Sequence, residues 1–94
     1  GEHAHRRCSQ FLSVPQGSVR VSLLGATTAD TITLDSPSVG LMIPPMVWGS
    51  QTFLEDNSVL QVFCDLEYDE SDYIRDFSTF RSAVQSNAFD CYRG

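Results

Sequence analysis

Through most of the first two thirds of the chain, apolar and polar positions alternate with a period of two. Gln10 to Val14 predicts a short strand, closed by the turn residues Pro15-Gln16-Gly17. Ser18-Val19-Arg20-Val21-Ser22-Leu23 alternates strictly and puts Val19, Val21 and Leu23 on one face. A small polar loop, Gly25 to Asp30, precedes the β-branched run Thr31-Ile32-Thr33-Leu34 and a turn at Asp35-Ser36-Pro37. Gly40 to Ile43 is stopped by Pro44-Pro45, and Val47 to Phe53 and Ser58 to Cys64 complete the set. The last run is nearly all apolar, which predicts burial on both faces. Short strands with turn signals at this spacing predict an all-β sandwich or barrel.

The period then changes. Tyr73, Phe77, Phe80 and Val84 fall at steps of four, three and four, one stripe of a helix. Ser78 is the expected N-cap of a short C-terminal helix ending near Gln85, and residues 85–94 carry no pattern and read as a frayed end. With no repeat and no linker, residues 1–94 form a single domain. A domain of this size is near the point where a partner subunit helps to complete the core, so a homodimer is expected.

Charge narrows the function classes. Twelve acids oppose six bases, a net charge of −6, and all six bases are arginine. An acidic chain does not suit a nucleic-acid-binding module, and the lack of lysine removes Schiff-base chemistry and a P-loop. No run is apolar and long enough to span a membrane. Cys8, Cys64 and Cys91, odd in number and far apart, read as free thiols in a reducing, cytoplasmic compartment.

Candidate chemistry starts at His3-Ala4-His5, the only histidines in the chain. Residues two apart on a strand share a face, so both imidazoles line one surface. Imidazole exchanges protons near neutral pH and is also the commonest metal ligand. A catalytic metal centre uses three or more protein ligands, and the pair supplies two. Cys8 would be a third in a His-x-His-x-x-Cys arrangement, but with no second thiol nearby in sequence it reads as a structural thiol. The acidic run Asp65, Glu67, Asp69, Glu70, Asp72 does not fit a calcium loop begun at Asp65. Glu70 stands where glycine is needed and Asp76 where glutamate is needed. Tyr68 to Phe77 is expected to be structural, with its tyrosines and Ile74 buried and Arg75 paired to a nearby acid.

His-x-His, four residues, Gln10, six residues and Gly17 resemble the first cupin motif, whose metal-binding form has Glu at the Gln10 position. The second motif, Pro-x-Gly-x-x-His, falls on Pro44-Pro45-Met46-Val47-Trp48-Gly49, so Gly49 replaces its histidine. More specifically, residues 1–5, 34–37, 44–48 and 68–77 resemble the sugar-nucleotide 3,4-ketoisomerases, and the likeness runs to about Val84. The resemblance implies a cupin fold, a jelly-roll-like double-stranded β-helix with a short C-terminal helix. It also implies additional N-terminal strands, with further site residues and a strand exchanged between subunits. The 94 residues would then be the larger, C-terminal part of a longer domain.

The activity implied is isomerisation of dTDP-4-keto-6-deoxyglucose to the 3-keto sugar, for surface polysaccharide synthesis. A neutral amide at Gln10 and no side chain at Gly49 make a metal-free site, without cofactor, the expectation. His3 and His5 are then the catalytic pair, one taking the C3 proton and the other stabilising or reprotonating the enediolate, in an order the sequence leaves open. Arg6 is expected at the pyrophosphate, Gln10 at a sugar oxygen, and Trp48 stacked on sugar or thymine, with a core anchor as the alternative for Trp48. The rival readings are a non-catalytic sugar-nucleotide-binding module, a metal-free epimerase on the same substrates, and a metal-dependent cupin oxygenase.

Overall fold

The computed structural model describes residues 2–93, and side chains through residue 85. Among the described residues, eight strands precede one α-helix: β1 (Ala4–His5), β2 (Gln10–Gln16), β3 (Val19–Leu24), β4 (Ala29–Leu34), β5 (Gly40–Ile43), β6 (Trp48–Phe53), β7 (Val59–Cys64), β8 (Tyr73–Ile74) and α1 (Phe77–Arg93). One antiparallel sheet runs β5-β2-β7 and another β4-β3-β6. The two-residue strands β1 and β8 pair with each other, Ala4 opposite Ile74 and His5 opposite Tyr73. An antiparallel bridge from His3 to Gly49 ties β1 to β6.

Period-two alternation does the folding work. Leu12 and Val14 of β2, Val19 and Val21 of β3, Leu34 and Ile43 turn inward and form the first core cluster between the sheets. Burying each such side chain contributes about 1.5–3 kcal/mol. The turn between β2 and β3 closes on Gly17, at φ +83°, where a Cβ would lie 2.7 Å from the Ser58 Cα. Both the left-handed backbone and the close approach therefore demand glycine.

A second cluster holds the helix. Ala4, Trp48, Ile74, Phe80 and Val84 are buried together, with the indole of Trp48 edge-on to Phe77, ring centroids 5.3 Å apart. The helix is capped by Asp76, not Ser78. The Asp76 carboxylate accepts from the Thr79 N–H at 2.9 Å, and Ser78 lies inside the first turn, donating its hydroxyl to the same carboxylate at 2.6 Å. Helical backbone continues to Arg93, beyond the expected stop near Gln85. The Cys91 side chain and the frayed end expected beyond residue 85 lie outside the described side chains.

Two further expectations are corrected. Tyr73 belongs to β8 and not to the helical stripe, because its register opposite His5 is fixed by pairing with β1. The apolar run of β7 is not buried on both faces: Val62 is 45% and Phe63 56% exposed. Among the described residues β7 pairs with β2 alone, so its other edge and much of its surface stay uncovered. Tyr68, expected to be buried, is exposed, whereas Ile74 is buried as expected.

Candidate active site

Alternation in β1 separates its residues by face. Ala4 enters the cluster beneath the helix, while His3 and His5 meet on the other side, ring centroids 5.0 Å apart and nearly perpendicular. The bridge to Gly49 (His3 N–H to Gly49 carbonyl 3.2 Å, Gly49 N–H to His3 carbonyl 2.9 Å) and a 2.7 Å bond from the Met46 N–H to the His5 carbonyl fix the strand in place. Met46 occupies the glycine position of the second cupin motif and adopts φ 63°, a left-handed conformation that glycine takes without strain. The motif's glycine thus has a backbone reason.

His5 is buried, and its Nδ1 lies 3.1 Å from Asp72 Oδ2. Asp72, itself only 4% exposed, ends the 3₁₀ turn Glu70–Asp72. Its Oδ2 also accepts from the Cys8 N–H at 3.2 Å, and its Oδ1 from the Arg7 N–H at 2.8 Å. Burial pushes the Asp72 carboxyl up, but the bonds from His5, Cys8 and Arg7 outweigh it and hold the group below its ordinary value. An ionised carboxylate only accepts, so neutral His5 carries its proton on Nδ1 and its lone pair on Nε2. That Nε2 is buried and has no hydrogen-bond partner among the described residues.

The floor beneath the histidines is aromatic. The Tyr73 ring lies 4.2 Å from His5 and 5.3 Å from His3. Arg75 covers it, its guanidinium carbon 4.3 Å from the ring centroid, and is clamped by a two-point pair with Glu70 at 2.8 and 3.1 Å. The expected pairing of Arg75 with a nearby acid is present, and it holds the Glu70 carboxyl at about 2. Burial pushes the Tyr73 hydroxyl up, so at neutral pH it remains a donor.

Two cavities adjoin these groups. His3, His5, Gln10 and Gly49, the four positions that bear ligands in metal-binding cupins, converge on one internal space of about 10 Å³, room for at most one water. A larger cavity of about 350 Å³ opens beside it, lined by His5, Cys8, Cys64, Asp72 and Tyr73 among others. Gln10 is buried between β5 and β7, its amide donating to Cys64 Sγ at 3.6 Å. Arg6 is exposed, and its backbone N–H bonds the Asp72 carbonyl at 2.8 Å. Trp48 stands apart. It lies in the core under the helix and lines a separate cavity of about 500 Å³ with Phe77, Leu24 and Asp30.

Sequence reasoning brought the histidines and Gln10 together but passed over Asp72 and Tyr73. Both lie within the tyrosine-rich decapeptide, read as structural. The available signal was an acid flanking a tyrosine inside the most specific of the four matching segments.

Known proteins resemble the chain in sequence and in fold. The family described as FdtA, WxcM-like, C-terminal matches residues 1–85. A TDP-4-oxo-6-deoxy-alpha-D-glucose-3,4-oxoisomerase of Aneurinibacillus thermoaerophilus is 39% identical over 84 residues, covering 89% of this chain and 60% of that protein. The sugar 3,4-ketoisomerase QdtA of Thermoanaerobacterium thermosaccharolyticum, solved with TDP, superposes with a TM-score of 0.86 at 34% identity. That match covers 90% of this chain and 62% of that one. The TDP-quinovose 3,4-ketoisomerase WlaRB of Campylobacter jejuni gives a TM-score of 0.82 at 29% identity, over 87% and 63% of the two chains. The chain thus spans about three fifths of the length of these relatives. The resemblance to the sugar-nucleotide 3,4-ketoisomerases and the cupin-type roll are both borne out, and the chain belongs to the FdtA family, WxcM-like, C-terminal.

Proposed function

We propose that this domain carries the proton-transfer machinery of a metal-independent 3,4-ketoisomerase acting on a TDP-linked 4-keto-6-deoxy sugar. The observation that carries the reading is the His5–Asp72 pair, whose buried carboxylate leaves His5 Nε2 as an unpartnered base. Nε2 takes the C3 proton, and the C3–H electron pair becomes the C3=C4 bond as charge moves to the C4 oxygen. Returning a proton to C4 and passing the C3 hydroxyl proton to the C4 oxygen leave the carbonyl at C3 and a hydroxyl at C4. The atoms balance without an oxidant. A positioned acid or base contributes about 10²–10⁴-fold to such a step.

His3, in ring contact with His5, is assigned to the enediolate or to reprotonation, and the Tyr73 hydroxyl is a second donor to the same oxygen. The sugar enters through the 350 Å³ cavity, since the 10 Å³ space holds no ring, and it meets the buried Nε2 only when the wall beside His5 opens. Arg6, exposed one residue from His5, suits a pyrophosphate oxygen. Gln10 bounds the base from inside and reaches the sugar only if Cys64 gives way. Trp48, in the separate cavity, would stack on the nucleotide only if the ligand reached that face. The open edge of β7 and the exposed Phe11, Met42 and Phe63 beside it support a homodimer. The two described free thiols, Cys8 and Cys64, support a reducing cytoplasmic setting. Among the described residues, no helix is long and apolar enough to cross a membrane.

Proton NMR in D₂O with TDP-4-keto-6-deoxyglucose tests the reading. Movement of the carbonyl to C3 with deuterium gained at C4 is expected, as is its loss in His5→Asn. Retained turnover in both His3→Asn and His5→Asn would refute it. A second reading, a binding module without catalysis, is favoured by the chain's spanning only about three fifths of its relatives. TDP binding without exchange of any sugar proton would establish that reading instead.

A further inference from the structure

His5, Cys8 and Asp72 are all buried, and each offers a donor atom within 4.8 Å of the others. This set differs from the cupin ligand positions, of which it shares only His5. We propose that these three side chains form a binding site for a soft divalent cation of the Zn²⁺ class, and that its occupancy switches the proton-transfer site off. The second half rests on the function proposed above; the first does not.

The spacing fits a small tetrahedral ion. Bonds of about 2.0–2.2 Å to nitrogen and oxygen put those two ligands about 3.4 Å apart, and His5 Nδ1 and Asp72 Oδ2 already stand at 3.1 Å. With a metal–sulfur bond of about 2.3 Å the thiolate sits about 3.6 Å from either partner. Cys8 must therefore close by about 1.2 Å at most, a side-chain adjustment on a backbone held by its own N–H bond to Asp72 Oδ2. One nitrogen, one sulfur and one oxygen donor suit zinc, whereas calcium and magnesium require oxygen sets. The fourth position opens on the 350 Å³ cavity, where water completes the shell.

Charge and protons balance. The cation brings two positive charges against the Asp72 carboxylate and a Cys8 thiolate, and the thiol proton goes to solvent. The metal takes the Nδ1 lone pair, so the proton of neutral His5 must reside on Nε2. The lone pair that would accept the C3 proton is then gone, and the same imidazole cannot serve both purposes.

Cobalt(II) is the probe, because a thiolate ligand gives a near-ultraviolet charge-transfer band and a four-coordinate ion gives strong visible bands. Titrating the metal-free protein should produce both at one equivalent, and Zn²⁺ should displace them. Cys8→Ser should abolish the charge-transfer band and weaken cobalt binding at least tenfold, while Cys64→Ser keeps the band. No band in the wild type, or a band that survives Cys8→Ser, would overturn the site. Should Cys8→Ser fail to fold, the ¹⁵N shift of His5 Nδ1 in the wild-type protein decides the matter: it moves on adding Zn²⁺ or the site is refuted. One equivalent of Zn²⁺ should lower turnover at least tenfold, reversibly with a chelator, and undiminished turnover in the loaded protein overturns the switch. A protein with no turnover in any state sinks the reaction and with it the switch, while the cobalt spectrum still decides the site.

Discussion

Asp72→Asn removes one charge and almost no volume, so it isolates what the buried carboxylate does. The carboxylate accepts from the Arg7 N–H, the Cys8 N–H and His5 Nδ1 at 2.8, 3.2 and 3.1 Å. An amide has one accepting oxygen. If that oxygen stays with Arg7, the new NH₂ faces the Cys8 N–H and His5. The Cys8 N–H is then left without an acceptor, at a cost of about 1–3 kcal/mol. For a domain of this size each kcal/mol moves the melting midpoint about 4–8 °C, so a fall of roughly 5–20 °C is expected. His5 responds by changing tautomer, since its Nδ1 must now accept and its proton passes to Nε2. A base with its lone pair on the wrong nitrogen loses about 10²–10⁴-fold in kcat, with KM little changed because the cavity wall is intact. Long-range ¹H–¹⁵N NMR of the histidines reads the tautomer directly, beside a thermal melt and steady-state rates. A variant that keeps the Nδ1–H tautomer and wild-type kcat would refute the assignment of Asp72 as the residue that positions His5.

Other perturbations follow from the same contacts. Asp76→Ala removes the acceptor for the Thr79 N–H and should lower the midpoint of a denaturant titration, whereas Ser78→Ala should leave it nearly unchanged. Phe80→Ala empties the centre of the second cluster and should cost about 3–5 kcal/mol by the same assay. Arg75→Ala breaks an exposed pair and should leave the unfolding midpoint nearly unchanged, yet alter the aromatic proton shifts of Tyr73, whose ring it covers. Asp69, Glu70, Asp72 and Asp76 are all held below their ordinary values. Folded, they bind fewer protons than unfolded, so their stabilisation is complete above the usual carboxylate range. It is lost as pH falls from about 4 through their folded values. Unfolding midpoints measured from pH 6 to pH 2 should therefore drop on the acid side, and a flat profile would contradict these bonds.

Local patterning made the strands legible. Val19, Val21 and Leu34 face inward where alternation puts them, and His3 and His5 share a face because a pleated backbone leaves residues two apart no other choice. The same rule failed on β7, whose apolar run signals burial only when neighbours exist on both sides, and strand order is a property of the whole sheet. It failed also at Tyr73, where a four-residue step imitates a helix while pairing with β1 imposes a strand.

What the sequence by itself determined is the set of candidate imidazoles and the pleat that aligns them. Only the tertiary structure decided which His5 nitrogen is held by a carboxylate and which has no partner among the described residues. Asp72 lies 67 residues from His5 in the chain, and no local preference joins positions so far apart. Pairing of β1 with β8 places the carboxylate against Nδ1, and that one contact gives His5 its tautomer and leaves Nε2 open.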